Sequence, residues 1–459
     1  MTSTGTDRSH EIRERIRAAM PTARDELARL VAFRSVADPR QFPVEECVGA
    51  ANWVRDAFTA AGVENVETIE TSDGSLAVLG HTPAPEGAPT VLLYSHYDVQ
   101  PPGDESLWHS EPFALTERNG RWYGRGAADC KGNIMMHLLA LRALREDGPL
   151  PVGVRIVIEG SEEMGGAGLD RLVAERPDLF DADLIVIGDS GNAEVGRPTL
   201  TTTLRGIANV DVHIETLKGE IHSGMYGGAA PDALAALVHL LGTLRDENGD
   251  TVVDGLDCTA TWEGVPYPED RFRADAGVLD GVALPTSGTV ADAVWARPAL
   301  TVLGIDAPPV VGSAAAVVPR AAARLNLRVP PGVDARAAQD ALVAHLEAHV
   351  PWGAHLRIER DVLGEPFRAS TDGPGYAALR AALETAYGCE VGTAGQGGSI
   401  PLCTALQRAV PRAEIALIGV EEPRCVIHAP NESVDPTEIE NLAVAEALLL
   451  TSLDRRADR

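Results

Sequence analysis

The chain has 459 residues, 45% of them apolar, so it can bury substantial cores, and its length points to two domains rather than one. A formal charge of −28 argues against nucleic acid and anionic membrane surfaces as partners, and no stretch approaches the roughly 20 apolar residues of a membrane span. Six scattered cysteines without CxxC spacing, and an N-terminus without a basic-then-apolar signal pattern, point to a reducing cytoplasm.

In chain order, Ile12, Ile16, Leu27, Leu30 and Val31 predict a helix over 11–33, broken and restarted at Pro21. A second helix follows over 47–62, where Gly62 suits its stop. Strand-like segments lie at 66–69, 76–79 and 91–94, and 121–124 reads as one arm of a hairpin leading into a loop at Asp129. Then come a helix over 131–145, a strand at 152–158, a helix around 169–174 and a strand at 184–187. Strands alternating with helices indicate an α/β fold whose mostly parallel sheet is flanked by helices.

The pattern changes after about residue 203. Alternation over 207–214, a helix over 230–244, strands at 299–305 and 322–329 and a helix over 335–350 describe a smaller α+β unit. The acidic, Pro/Gly-rich run 264–288 reads as a long loop within it. A helix at 376–387, a strand at 415–418 and a helix at 437–453 then resume the first pattern. The expected organisation is a discontinuous catalytic domain, 1–203 and 371–459, with an inserted lid or dimerisation domain, 204–370.

Five places in the first domain supply side chains of the kind that bind metals. His96 and Asp98 follow the strand at 91–94, in Thr90-Val-Leu-Leu-Tyr-Ser-His-Tyr-Asp98. Asp129 lies in Gly126-Ala-Ala-Asp-Cys-Lys-Gly132, Glu162 and Glu163 follow the strand at 152–158, Asp189 follows the strand at 184–187, and His428 begins His428-Ala-Pro-Asn-Glu432. Ligands of open α/β sheets collect beyond the carboxyl ends of the strands. Oxygen donors with two imidazoles suit zinc, manganese or cobalt better than an all-oxygen calcium site. One carboxylate shared by two ions, with an adjacent glutamate left free as general base, would make a water-activating centre. Each piece also fits a plainer role. Asp129 could be a turn residue, Asp189 a helix cap, the glutamates a solvated loop and His428 a loop residue.

Read together, Ser95-His-Tyr-Asp-Val-Gln-Pro-Pro-Gly103, Trp108, Tyr123-Gly-Arg-Gly-Ala-Ala-Asp-Cys-Lys-Gly132 and Glu159-Gly-Ser-Glu-Glu-Met-Gly165 resemble the carnosinase branch of the two-metal exopeptidases. That family also contains glutamate carboxypeptidase, succinyl-diaminopimelate desuccinylase and acetylornithine deacetylase. Ile221-His-Ser-Gly-Met-Tyr-Gly-Gly228, Gly397-Gly-Ser-Ile-Pro401 and His428-Ala-Pro-Asn-Glu432 agree in the same order, so the resemblance covers nearly the whole chain.

The resemblance implies that His96, Asp129 and Asp189 hold one divalent ion and Asp129, Glu163 and His428 the other, with a cis peptide between Asp129 and Cys130. Asp98 would orient His96, and Glu162 would take a proton from the bridging water and hand it to the leaving amine. His222, on residues alone a surface loop histidine, would act in the partner's site of a homodimer, stabilising the oxyanion. Arg328, otherwise a strand-edge charge, would grip the substrate's terminal carboxylate, assisted by Gly398 and Ser399. The chain departs from the branch at Gly395-Gln396, where carnosinase-like enzymes often carry Arg-Glu; this bears on peptide preference. The reading is a dipeptide hydrolase, with zinc the foremost metal. Its rival within the family is an N-acyl amino-acid deacylase, which would prefer acetyl or succinyl substrates, and its rival outside it is a catalytically silent binding or scaffold protein.

Overall fold

The computed structural model describes residues 3–398 and 400–453. Two compact units divide the chain. The first comprises residues 1–202, 369–394 and 401–459; the second comprises 203–368 and 395–400.

Four parallel strands form the centre of the first unit's sheet. They are Gly153–Glu159, Thr90–His96, Leu184–Gly188 and Glu414–Ile418, in that spatial order. Leu92, Leu93, Val186, Ile187 and Leu417 are wholly buried there, as expected of strands covered on both faces. Antiparallel strands Leu76–Thr82 and Glu67–Glu70 extend one side, and Leu417 pairs with Thr201 on the other. The sheet is therefore mixed but parallel at its centre. The shared direction brings four carboxyl ends to one side. His96 ends one strand and lies in register with Glu159, the end of the next. Asp189 follows the third and donates its N–H to the carbonyl of Ile418, the end of the fourth, at 3.1 Å.

Helix Lys131–Arg145 is the central one, its residues buried from Lys131 to Leu141 and again at Ala143 and Leu144. It packs against helices Ser3–Ala32 and Pro436–Ser452. Because it starts immediately after Asp129 and Cys130, the most deeply packed helix fixes the start of the chemistry-bearing loop. Lys131 strengthens that anchor. Its Nζ donates at 3.0 Å to the carbonyls of Leu30 and Phe33, capping the end of the first helix, and burial pulls its pKa down to about 7.

Pro21 does not break that first helix, contrary to the sequence expectation: Ser3–Ala32 runs through it. The apolar stripe Ile12, Ile16, Ala23, Leu27 and Leu30, fully or almost fully buried on both sides of the proline, keeps the helix seated where an isolated one would stop.

The second unit is an antiparallel sheet in the order Ala299–Asp306, Arg320–Val329, Gly206–Glu215, His355–Gly364. Helices Ala233–Gly242 and Ala335–His349 share its apolar core through Leu237, Leu240, Leu342 and Leu346 against Val210, Val212, Leu325 and Leu327. The run 264–288 is not loop throughout, because Glu269–Asp275 forms a short helix held by Arg271–Asp275 and Arg273–Glu269 ion pairs.

Candidate active site

His96, Asp98, Asp129, Glu162, Glu163, Asp189 and His428 converge at the carboxyl ends of the first unit's parallel strands. The Asp129 carboxylate lies between the two histidines: Oδ1 is 3.1 Å from His96 Nε2 and Oδ2 is 2.9 Å from His428 Nε2. Asp189 Oδ1 completes one side at 3.3 Å from His96 Nε2. Glu163 Oε2 completes the other at 3.4 Å from His428 Nε2. Each set offers one imidazole and one private carboxylate, and Asp129 is common to both. The Asp129–Cys130 peptide is cis.

These residues fit a pair of divalent ions. His96 is completely buried, yet among the described residues its Nε2 makes no hydrogen bond despite the two carboxylate oxygens beside it. A buried nitrogen facing two carboxylates without a hydrogen bond is what a cation-binding imidazole leaves behind. Its tautomer suits that role, since Nδ1 sits 3.0 Å from the backbone carbonyl of Asp98 and donates to it, freeing the Nε2 lone pair. Cys130 also lies near His96 and Asp189. Its thiol donates to the carbonyl of Gly188 at 2.8 Å, and burial pushes it up to about 12, so it serves as a buried donor rather than a ligand.

The electrostatics follow from burying this many acids together. Burial raises the pKa of Asp129, but the hydrogen bond from His428 and the nearness of His96 outweigh it and hold the carboxyl below its ordinary range. Glu163 is pushed up to about 8, first by burial and then by Asp129. His428 is raised to about 9, chiefly by its hydrogen bond to Asp129. Glu162 is also raised well above the usual carboxyl range, by burial and then by Asp189.

The supports of these side chains are less visible in the sequence. The Asp98 carboxylate is 3.4 Å from His96 Nδ1, and it also accepts the backbone N–H groups of Glu162 at 3.2 Å and Glu163 at 3.0 Å. One buried acid thus fixes the loop that carries both glutamates. Gln100 grips Glu163 through its backbone N–H at 3.2 Å and its side-chain amide at 2.7 Å. Glu432 collects the backbone N–H groups of Gly126, Ala128 and Asp129 at 3.0–3.1 Å and the Arg125 guanidinium at 2.6 Å. His428 itself has φ +63°, a left-handed conformation that costs a non-glycine residue energy and that the surrounding contacts must sustain. Gly191 lets the Asp189 loop approach residues 419–422: a Cβ there would collide with the carbonyl oxygen of Glu421, which accepts the N–H of Asn192 at 2.8 Å.

His222, Arg328 and Gly398 lie in the second unit, and Ser399 lies outside the described residues. His222 is exposed in the short strand Ile221–His222, its Nδ1 accepting the N–H of Gly224 at 3.1 Å. That bond puts the proton of the neutral ring on Nε2, facing away from its own backbone. Arg328 is half-buried on strand Arg320–Val329, and burial lowers its pKa. Arg205, which the sequence pattern does not single out, is 8% exposed; burial first, and then the charge of Arg328, lowers its pKa to about 10. Neither guanidinium has a carboxylate partner among the described residues. At Gly395, a Cβ would lie 2.7 Å from Trp295 Cβ and 2.9 Å from Thr203 Oγ1, so the arginine of carnosinase-like enzymes has no room in this chain.

Known proteins resemble this chain along most of its length. The model of Peptidase family M20/M25/M40 matches residues 92–452. A cysteinylglycine-S-conjugate dipeptidase of Corynebacterium striatum is 48% identical over 407 residues, covering 87% of this chain and 89% of its own. A human Beta-Ala-His dipeptidase is 30% identical, with 78% of this chain and 73% of the relative aligned. The crystal structure of human carnosine dipeptidase 1 superimposes with a TM-score of 0.79 at 25% identity, over 96% of this chain and 98% of that one. With a family match running through every strand end that carries the site, this chain belongs to Peptidase family M20/M25/M40.

Proposed function

We propose that this protein is a two-metal dipeptidase that cleaves the amide bond of a dipeptide and works as a homodimer. The observation that carries the reading is the position of the Asp129 carboxylate, one oxygen toward each histidine, with Glu162 next to Glu163 but outside both sets. The relatives named above are dipeptidases, which supports dipeptides over N-acyl amino acids as substrates.

In this reading His96, Asp129 and Asp189 hold one ion and Asp129, Glu163 and His428 the other. Zinc is the first choice for such a nitrogen and oxygen donor set, with manganese or cobalt as alternatives. The ions supply a water made acidic and a polarised scissile carbonyl. The chain's own residues do the rest. Asp98 holds the backbone of Glu162 so that its carboxylate meets the attacking water, takes its proton and delivers that proton to the departing amine nitrogen. Burial, which raises the proton affinity of Glu162, brings it closer to what a shuttle between water and amine needs. Arg328, with Gly398 and Ser399, binds the substrate's terminal carboxylate. His222 of one protomer donates its Nε2 proton toward the developing oxyanion in its partner's site.

Among the described residues no helix is long and apolar enough to cross a membrane. All six cysteines are unpaired, which supports a reducing, cytoplasmic setting. The test is a dipeptide panel assayed on zinc- or manganese-loaded enzyme. Metal-dependent cleavage that vanishes in Glu162→Ala supports the proposal. Preference for acetylated or succinylated amino acids would replace the dipeptide reading with the deacylase one.

A further inference from the structure

The second unit contains another cluster of metal-binding side chains, at the end of helix Ala335–His349. His345 and His349 are one turn apart, so they share a helix face, and their rings stack with centroids 4.1 Å apart and planes 19° from parallel. Asp254 faces both from a neighbouring loop. Its Oδ2 is 3.3 Å from His345 Nδ1 and 3.6 Å from His349 Nε2.

The hydrogen bonds define which nitrogens carry protons. His349 Nδ1 is 2.8 Å from the carbonyl of His345, which can only accept, so a proton sits on Nδ1, and in the neutral ring it is the Nε2 lone pair that faces Asp254. His345 Nδ1 accepts the backbone N–H of Asp254 at 3.1 Å, so its ring proton is on Nε2, 3.0 Å from Thr243 Oγ1. Two imidazole nitrogens and one carboxylate oxygen therefore gather at one point, the Nδ1 of His345 engaged there only by a backbone N–H. His345 is 2% exposed, so its ring is held in place by the packing around it.

The loop that supplies Asp254 is a built one. Val253, 2% exposed, plugs into the core under the two helices, and the N–H of Val252 bonds to the carbonyl of Leu244. Asp254 and His349 reach solvent, with side-chain exposures of 62% and 37%, so an ion can enter.

We propose that Asp254, His345 and His349 bind a further divalent transition ion, zinc or a neighbour of similar ligand preference, outside the catalytic set. Two imidazoles and one carboxylate leave positions for water, the composition of an exchangeable zinc site. On binding, His345 Nδ1 gives up the Asp254 N–H for the ion. The ion ties the 243–257 loop to the end of the helix and so stiffens the second unit against unfolding.

The experiment is a titration of the metal-loaded enzyme with Zn²⁺, counting bound ions by native mass spectrometry and following the unfolding temperature. The wild type should take up one ion per chain beyond the catalytic complement, with a rise in unfolding temperature. His349→Ala and Asp254→Asn should lose both responses while hydrolysing dipeptides normally at low free zinc. His428→Ala should keep the extra ion, which separates this inference from the fate of the dipeptidase reading. Equal uptake by His349→Ala, Asp254→Asn and the wild type, or no extra ion in the wild type, overturns it.

Discussion

Glu432 Oε1 accepts the backbone N–H of Asp129 at 3.1 Å, so the residue four positions after His428 fixes the carboxylate that His428 faces. The two halves of the site, more than three hundred residues apart along the chain for Asp129 and Glu432, are in this way one mechanical object. Glu432→Gln keeps the shape but withdraws the charge opposite the buried Arg125 and loosens the grip on three loop amides. Metal affinity should fall about 10- to 100-fold, the usual effect of disturbing a ligand's support. Glu432→Ala should also destabilise the fold by about 3–5 kcal/mol, because Arg125 is left charged and uncompensated. Metal titration and thermal unfolding check both; unchanged metal affinity in Glu432→Gln would remove this residue from the site's support.

Asp98 makes a different prediction. Its carboxylate receives the N–H groups of both Glu162 and Glu163, so one substitution disturbs the base and a ligand together. Asp98→Asn should lower kcat by about 10- to 100-fold with KM little changed, since neither Asp98 nor the two amides bind the substrate's ends. A variant that loses only KM would place Asp98 elsewhere in the reaction.

Metal loading should depend on pH in a defined direction. In the metal-free protein Glu163 titrates near 8 and His428 near 9, both raised, so at pH 7 both are protonated. Ions bind only the deprotonated ligands. Affinity should therefore climb as pH rises from 7 toward 9, with at least two protons released per chain at pH 7, since His96 is raised above its ordinary value as well. Calorimetry in buffers of different ionisation enthalpy reads that number; a release near zero contradicts protonated Glu163 and His428 in the metal-free site.

The dimer reading is tested by mixing. His222 and Glu162 are proposed to serve the same site from different protomers. A mixed dimer of His222→Ala and Glu162→Ala chains has one site with both groups intact, so mixing two inactive proteins should restore part of the activity. A flat mixing curve removes His222 from the mechanism.

The parallel strands and the side chains at their ends were legible because each leaves a local mark: a short apolar run, then histidine or acid at the point where the chain turns away from the sheet. The strand before His96 and the one before Asp189 needed nothing more. Strand His355–Gly364 left no such mark, because it is an edge strand whose residues are mostly exposed or half-exposed. Pro21 misled for the opposite reason, a local rule overridden by packing on a distant helix. The supports of the site were harder still. Gln100 and Glu432 act through hydrogen bonds to residues sixty-three and more positions away, and nothing in their neighbours marks a glutamine or a glutamate as a clamp. Arg205 looked like any strand-end charge, and only its burial without a carboxylate partner among the described residues distinguishes it.

If Glu162 moves the proton while its neighbours hold the ions, one paired measurement will show it. Metal content and dipeptide kinetics should be determined for the wild type and for Glu162→Gln prepared identically. About two ions per chain are expected in both proteins, with a kcat about 10²- to 10⁴-fold lower in the variant. A variant as active as its parent, or a wild type that cleaves dipeptides equally well after its ions are stripped, would contradict that division of labour.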